Sequence, residues 1–442
     1  MSRAPHRGRG GGARALAKGA AALALLGFPS TASDAEPAPD PRVAARELLA
    51  EPPAAWNEVP ALQDALVALG AGALPELCDA LGQADLGAPG EVAVRGVFAR
   101  LPRADVAAFF EARAAEPRPA AERALDVELL AHGATPDELG LLLRLAPESS
   151  AQHIVEPEVR DELRDGLTSV LARHPDEAPA ELARRLAGAH PSLHSAAVQA
   201  LGSARPDAAL EALADVVRGV PPAAPRALVE LRNVIRGDGP RPSDRALTAL
   251  RGTLWSTDPA ARSMGALILA EVRDRESVPE LIDLLVDSSD ADERTLRDAA
   301  LRALVALTGQ RFGTDGAAWT RWYTAEHEWL AARAGSCAAA IRSGDAQRAS
   351  DALRAVATHR LFADELVETV LPALGRREQH LVVLACGALG YLGSRGAIPG
   401  LLDALEHDAA AVRAAAHDAL IEITSLRLPP DAARWRRELA PR

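Results

Sequence analysis

Three sets of residues in this 442-residue chain have types and spacings that could do chemistry. The first is aromatic. Trp319, Trp322, Tyr323 and Trp329 fall at i, i+3, i+4 and i+10 in WTRWYTAEHEWL, so one face of a helix would carry all four. Such rings can offer a platform to a glycan or peptide, or can seal apolar surface inside a fold. The second set pairs histidines with acids: Glu326-His327-Glu328, Glu406-His407-Asp408 and His417-Asp418. A metal centre in a helical protein needs several such ligands converging from facing helices. The chain has a single His-Glu pair, His327-Glu328, and HExxH is absent because Glu328, Trp329, Leu330 and Ala331 follow His327. The third set is basic. Arg262, Arg297 and Arg413 each open a helical stretch, with Asp258, with Asp287 or Asp290, and with Asp408 just before them.

Several chemistries drop out. The only lysine is Lys18, so neither a phosphate-binding P-loop lysine nor a Schiff-base lysine exists in the body of the chain. The cysteines Cys78, Cys337 and Cys386 are far apart and odd in number, each in an apolar helical stretch, which reads as buried free thiols. GxSxG, CxxC and a strand-borne GxGxxG are missing. The sequence therefore nominates no catalytic residue, no cofactor and no metal. The formal net charge is −12, and it becomes −17 without the five cations of residues 1–33. So acidic a body repels nucleic acid and anionic lipid on average.

Residues 1–33 have the layout of a secretory signal: basic residues to Lys18, an apolar run from Ala20 to Phe28, then small residues. The apolar run is too short to span a bilayer stably. The expectation is export to the periplasm or the extracellular space, with cleavage after Ala32, Ser33 or Ala35. Residues 34–42, DAEPAPDPR, read as a flexible spacer.

The elements that must position these groups are helices. Hydrophobic residues make up 48% of the chain but aromatics only 3%, so Ala and Leu carry the core, a composition that suits close helix packing and suits sheets badly. Prolines at short intervals punctuate the helices without breaking them. The pattern from Asp258 to Tyr323 occurs twice. VPELIDLL at Pro279 returns as IPGLLDAL at Pro399, 120 residues on. Past the next loop the offset falls to 116, where Thr308, Arg311, Asp315 and Trp319 match Thr424, Arg427, Asp431 and Trp435. Trp435 thus closes the second copy as Trp319 closes the first, which favours the sealing role for the aromatic segment. Met264, Leu267, Ile268 and Val272 are expected to form one buried stripe, and Val278, Leu281, Ile282 and Leu285 another. Such a stripe cannot be covered by one helix pair alone, so neighbouring pairs must stack.

On DPAARSMGALILAEVRDRESVPELIDLL and VRAAAHDALIEIT the chain resembles the HEAT-repeat superfamily in its short bacterial, phycobilin-lyase-like form. The resemblance is strong over 190–330 and 375–442, and rests on periodicity alone over 43–190. It implies an all-α solenoid, a HEAT-like superhelix of stacked antiparallel helix pairs whose second helices line a concave side. It also implies that Arg262, Arg297 and Arg413 form a structural ladder with Asp258, Asp287 and Asp408. Two blocks are expected, 43–330 and 331–442, with a break near Arg333 to Asp345. The function expected is that of an exported, non-catalytic scaffold binding another protein along the concave face. The alternatives are a HEAT-like enzyme of the metal-dependent hydroxylase or bilin-lyase type, and glycan binding through Trp319, Trp322, Tyr323 and Trp329.

Overall fold

The structure, a computed structural model, describes residues 40–83, 86–147, 155–236, 241–286, 290–343 and 345–439. Among these every regular element is helical. In chain order the α-helices are α1 (Pro41–Leu49), α2 (Val59–Ala68), α3 (Leu74–Gln83), α4 (Gly87–Arg100), α5 (Arg103–Ala114), α6 (Ala120–Ala131), α7 (Leu139–Leu145) and α8 (Pro157–Arg173). Then come α9 (Ala178–Leu186), α10 (His194–Gly202), α11 (Pro206–Gly219), α12 (Ala224–Arg236), α13 (Asp244–Gly252), α14 (Pro259–Glu271), α15 (Val278–Asp283) and α16 (Ala291–Thr308). The last are α17 (Gly316–Ser343), α18 (Ala346–Ala357), α19 (Ala363–Val370), α20 (Gln379–Leu392), α21 (Ile398–Ala404), α22 (Ala410–Thr424) and α23 (Ala432–Glu438). Many are preceded by a one-turn 3-10 segment, such as Arg275–Ser277 and Arg395–Ala397, which tightens the turn inside a pair.

The chain is an all-α solenoid of stacked antiparallel helix pairs, and it divides into two units, one ending at Ala246 and one starting at Leu247. In the first, α2, α4, α6, α8, α10 and α12 lie side by side as one layer. The second layer holds α1 and α3, then α5, α7, α9 and α11. Between the layers sit fully buried Leu66, Phe98, Phe110, Leu129, Leu163, Leu201 and Leu231. In the second unit α14 packs on α16, and α18, α20 and α22 pack in sequence. Most helices hide one stripe, whereas α7 is buried on every side but that of Arg144, so burial of about 1.5–3 kcal/mol per large side chain depends on its neighbours being in place.

The repeat seen in the sequence extends to individual hydrogen bonds. Thr308 Oγ1 donates to Leu304 O and Thr424 Oγ1 donates to Leu420 O, both at 2.7 Å. Asp315 accepts from the Ala318 N–H at the start of α17, and Asp431 accepts from the Arg434 N–H of α23. Trp319 Nε1 donates to Gly313 O at 2.8 Å, and Trp435 Nε1 to Pro429 O at 3.0 Å. Both indoles are 0% exposed.

Three expectations need correction. The break near Arg333 to Asp345 does not fall there: α17 runs unbroken through Arg333 to Ser343, and the units part at Ala246. RAGSCAAAIRS is rich in alanine, and Ser336 Oγ donates back to Arg333 O at 2.8 Å, so Gly335 and Ser336 are accommodated inside the helix. The spacer ends earlier than residue 42. Asp40 caps α1 by accepting from the Arg42 N–H at 2.9 Å, and Pro41 opens the helix. The stripe on α14 is rotated: Ala261, Gly265, Ala266, Ile268 and Leu269 are buried, whereas Met264, Leu267 and Val272 are half-buried. Small residues let α14 approach its neighbours closely, Ile268 and Leu269 fill the space beside them, and Met264, Leu267 and Val272 cover the rim. The leader at 1–33, spacer residues 34–39 and Asp287 lie outside the described residues.

Candidate functional site

The aromatic segment is anchored by its ends. Trp319 packs edge-on against Phe312 and Trp322, with ring centroids 5.0 and 6.1 Å away. Being fully buried, it cannot belong to the exposed surface of four rings set out above; only Trp322, Tyr323 and Trp329 reach solvent, each in part. Trp329 stacks on His359 at 3.5 Å, and Nδ1 of His359 meets the buried Glu326 carboxylate at 2.9 Å. The ring of His327 sits between Tyr323 and Phe362, 4.5 and 5.0 Å away. Burial pushes the Tyr323 hydroxyl upward, with Glu280 adding to it. The segment thus fastens α17 to the turn before α19. The His327-Glu328 pair diverges: Glu328 lines a shallow depression with Thr320, Arg321 and Thr324, and His327 does not. Among the described residues no group of three or more His, Cys, Asp or Glu could hold a metal ion. Burial raises the thiol of Cys78 to about 12 and that of Cys386 to about 11, which keeps both protonated.

The arginine ladder exists in a different form. Asp258 does not pair with Arg262; its carboxylate caps α14 through the Ala260 N–H at 2.8 Å. Arg262 instead meets Glu293 of the next pair at 2.7 Å. Arg413 donates to two backbone carbonyls, His407 O at 2.9 Å and Asp408 O at 2.7 Å, leaving the Asp408 carboxylate out of the contact. Arg297 lies half-buried on α16.

A longer ladder, which the spacing of Arg and acid by one repeat could have revealed, ties successive pairs together. Arg46–Glu76, Arg95–Glu128, Arg103–Glu138, Arg123–Glu156 and Arg245–Asp215 are 30–35 residues apart and 2.6–2.9 Å long. In the second unit Arg436–Glu406 repeats the spacing of 30 at 2.6 Å. Exposed pairs contribute ~0–1 kcal/mol each, so the exposed ones fix register more than they add stability. Arg113–Asp126 differs. Asp126 is 0% exposed and accepts from Nε of Arg113 at 2.8 Å, and burial raises its carboxyl against the opposing pull of Arg113.

The second unit also carries a contact that the sequence reading missed. Arg273 has φ 59° and stands, 120 residues earlier, at the turn position that Gly393 (φ 70°) occupies in the other copy. Its guanidinium crosses to that same turn, donating to Gly393 O and to Leu392 O, the latter at 3.0 Å. It therefore satisfies carbonyls at the C-terminus of α20. Arg275 pairs with Glu365 and lies over the Phe362 ring beside it. Ser425 (φ 60°) shows the same substitution, standing where the first copy has Gly309 (φ 74°). Had every copy been aligned on its turn glycine, these two exceptions would have stood out.

No family model matches the chain, and no curated protein matches it. Among solved structures it is similar to a chain of a Kap95:Nup1 complex, at 12% identity and a TM-score of 0.22. That match covers 93% of this chain and 55% of the other, so the chain spans about half the length of its counterpart. No single helix among the described residues is long and apolar enough to cross a membrane.

Proposed function

We propose that the chain is an exported, non-catalytic scaffold of short HEAT-like repeats that binds a basic segment of a partner protein along the layer of second helices. One observation carries the reading: acids crowd the outward side of α4, α6 and α8. Glu91 and Glu128 share Arg95, at 2.7 and 2.6 Å. On the next helix the Glu162 carboxyl is raised, by burial first and then by Glu128 and Asp165. Carboxylates held together in this way gain from a cation arriving between them. Beside them Arg160, Asp161, Arg164, Ser195 and Gln199 line a polar depression of about 260 Å³ between α8 and α10. The side chains there can hydrogen-bond a partner's backbone.

The test is capture from the exported fraction by the full chain, compared with a Glu128→Gln/Glu162→Gln variant. A partner with a basic segment should be retained by the parent, and the variant should bind it several-fold more weakly, with a flatter salt dependence. Equal retention by both proteins would remove the acidic face from the account.

A further inference from the structure

On the opposite layer of the first unit, α5, α7 and α9 leave a cleft of about 560 Å³, a size that suits a small ligand or a few residues of peptide. Gly140 and Leu143 are buried on its α7 side, and Glu111, Arg144, Arg185 and His190 line it as well. The charge there opposes that of the acidic unit around it. Arg144 is tied to Glu111 through one terminal nitrogen. Arg185 is tied to Glu181 through Nε, and among the described residues its two terminal nitrogens hold no hydrogen-bond partner. Its Nη1 lies 3.3 Å from where a Cβ on Gly140 would stand. A glycine inside α7 disfavours that helix relative to alanine, and here its effect is to let a guanidinium lie flat over the helix backbone. A guanidinium with free N–H groups on its planar edge matches a carboxylate or phosphate bidentately.

We infer that this cleft binds an anionic group, carboxylate or phosphate, through Arg185 and Arg144, with the apolar part of the ligand resting on Leu143. The inference is independent of the scaffold reading, which concerns the other layer.

The experiment is calorimetric titration of the full chain with three probes: inorganic phosphate, glutarate, and the acetylated tetrapeptide Leu-Glu-Leu-Glu with a free carboxyl terminus. Binding is expected for at least one probe, with Arg185→Ala weakening it ~10-fold or more through the loss of its bidentate charge-assisted hydrogen bonds. Gly140→Leu should abolish binding by filling the cleft, with the melting temperature retained, which separates a blocked site from an unfolded one. Preference for the peptide assigns the cleft to a peptide carboxylate, and equal binding of phosphate assigns it to free small anions. Absence of binding by all three at millimolar concentration, or affinities unchanged in both variants, overturns the inference.

Discussion

Replacing Arg273 by glycine and by alanine separates two opposed effects of one residue. Holding a non-glycine residue in the left-handed region costs about 1–2 kcal/mol, and Arg273 is held there at φ 59°. Against this, its guanidinium donates two hydrogen bonds to carbonyls at the end of α20. Bonds from a charged donor contribute about 1.5–3 kcal/mol each, and the half-buried setting places these near the lower figure. Burial, and after it the nearby Arg360, lower the Arg273 pKa, so part of that gain is spent on desolvation. Arg273→Gly removes both bonds and the strain, for a net loss of about 1–2 kcal/mol. Arg273→Ala removes the bonds and keeps the strain, for a loss about 1 kcal/mol larger. At roughly 2–4 °C per kcal/mol for a unit of this size, the glycine variant should melt about 2–8 °C lower and the alanine variant lower still. Differential scanning calorimetry of the full chain reads the order, and hydrogen exchange at residues 392–398 locates it. If the glycine variant melts at or above the parent, or above it in exchange protection, the contact between turns contributes nothing and the reasoning is wrong.

Three further outcomes are expected. Asp126→Ala should destabilise the first unit by about 3 kcal/mol, because it strands the half-buried Arg113; a double replacement of Asp126 and Arg113 by apolar residues should recover much of that in urea unfolding, and no recovery would show that the pair matters for some reason other than charge burial. Burial lowers the pKa of His194, whose Nε2 is buried without a hydrogen-bond partner among the described residues, so the neutral ring is the folded form. Its contribution is then intact above the ordinary value of about 6.5 and is lost as pH falls through the lowered one, so the urea midpoint of the parent should drop more between pH 7.5 and pH 5 than that of His194→Gln; parallel drops would count against it. Trp319→Ala should cost about 3–5 kcal/mol, since the ring is fully buried and its Nε1 bond to Gly313 O is lost with it; an unchanged melting temperature would contradict a sealing role.

Much of the fold was legible because a helix buried on one side writes its period into the sequence. Leu296, Ala299, Ala300, Ala303, Leu304 and Leu307 are buried on α16 as their spacing requires. Cys386 and Ala266, aligned between the two copies, are both buried. The stripe on α14 was partly misjudged because small residues were passed over: Ala261, Gly265 and Ala266 are buried along with Ile268 and Leu269 where helices approach closely. The break at Arg333 to Asp345 was misjudged because Gly335 and Ser336 suggest a stop, although the surrounding alanines favour continuation. Pairings between repeats were not legible from residues adjacent in sequence. Arg262 reaches Glu293 and leaves Asp258 to cap its own helix, because stacking brings residues about one repeat apart within reach. Arg273 lay further out of sight, since its partners are 119 and 120 residues away.

Each helix pair is stable only while its neighbours cover it, and native-state hydrogen exchange on Ala416→Asp tests this directly. Ala416 is 0% exposed on α22, which packs against α20. A buried carboxylate there should strip protection from 379–392 as well as from 410–424, while 41–236 keep theirs. Loss confined to 410–424, with 379–392 as protected as before, would contradict the account.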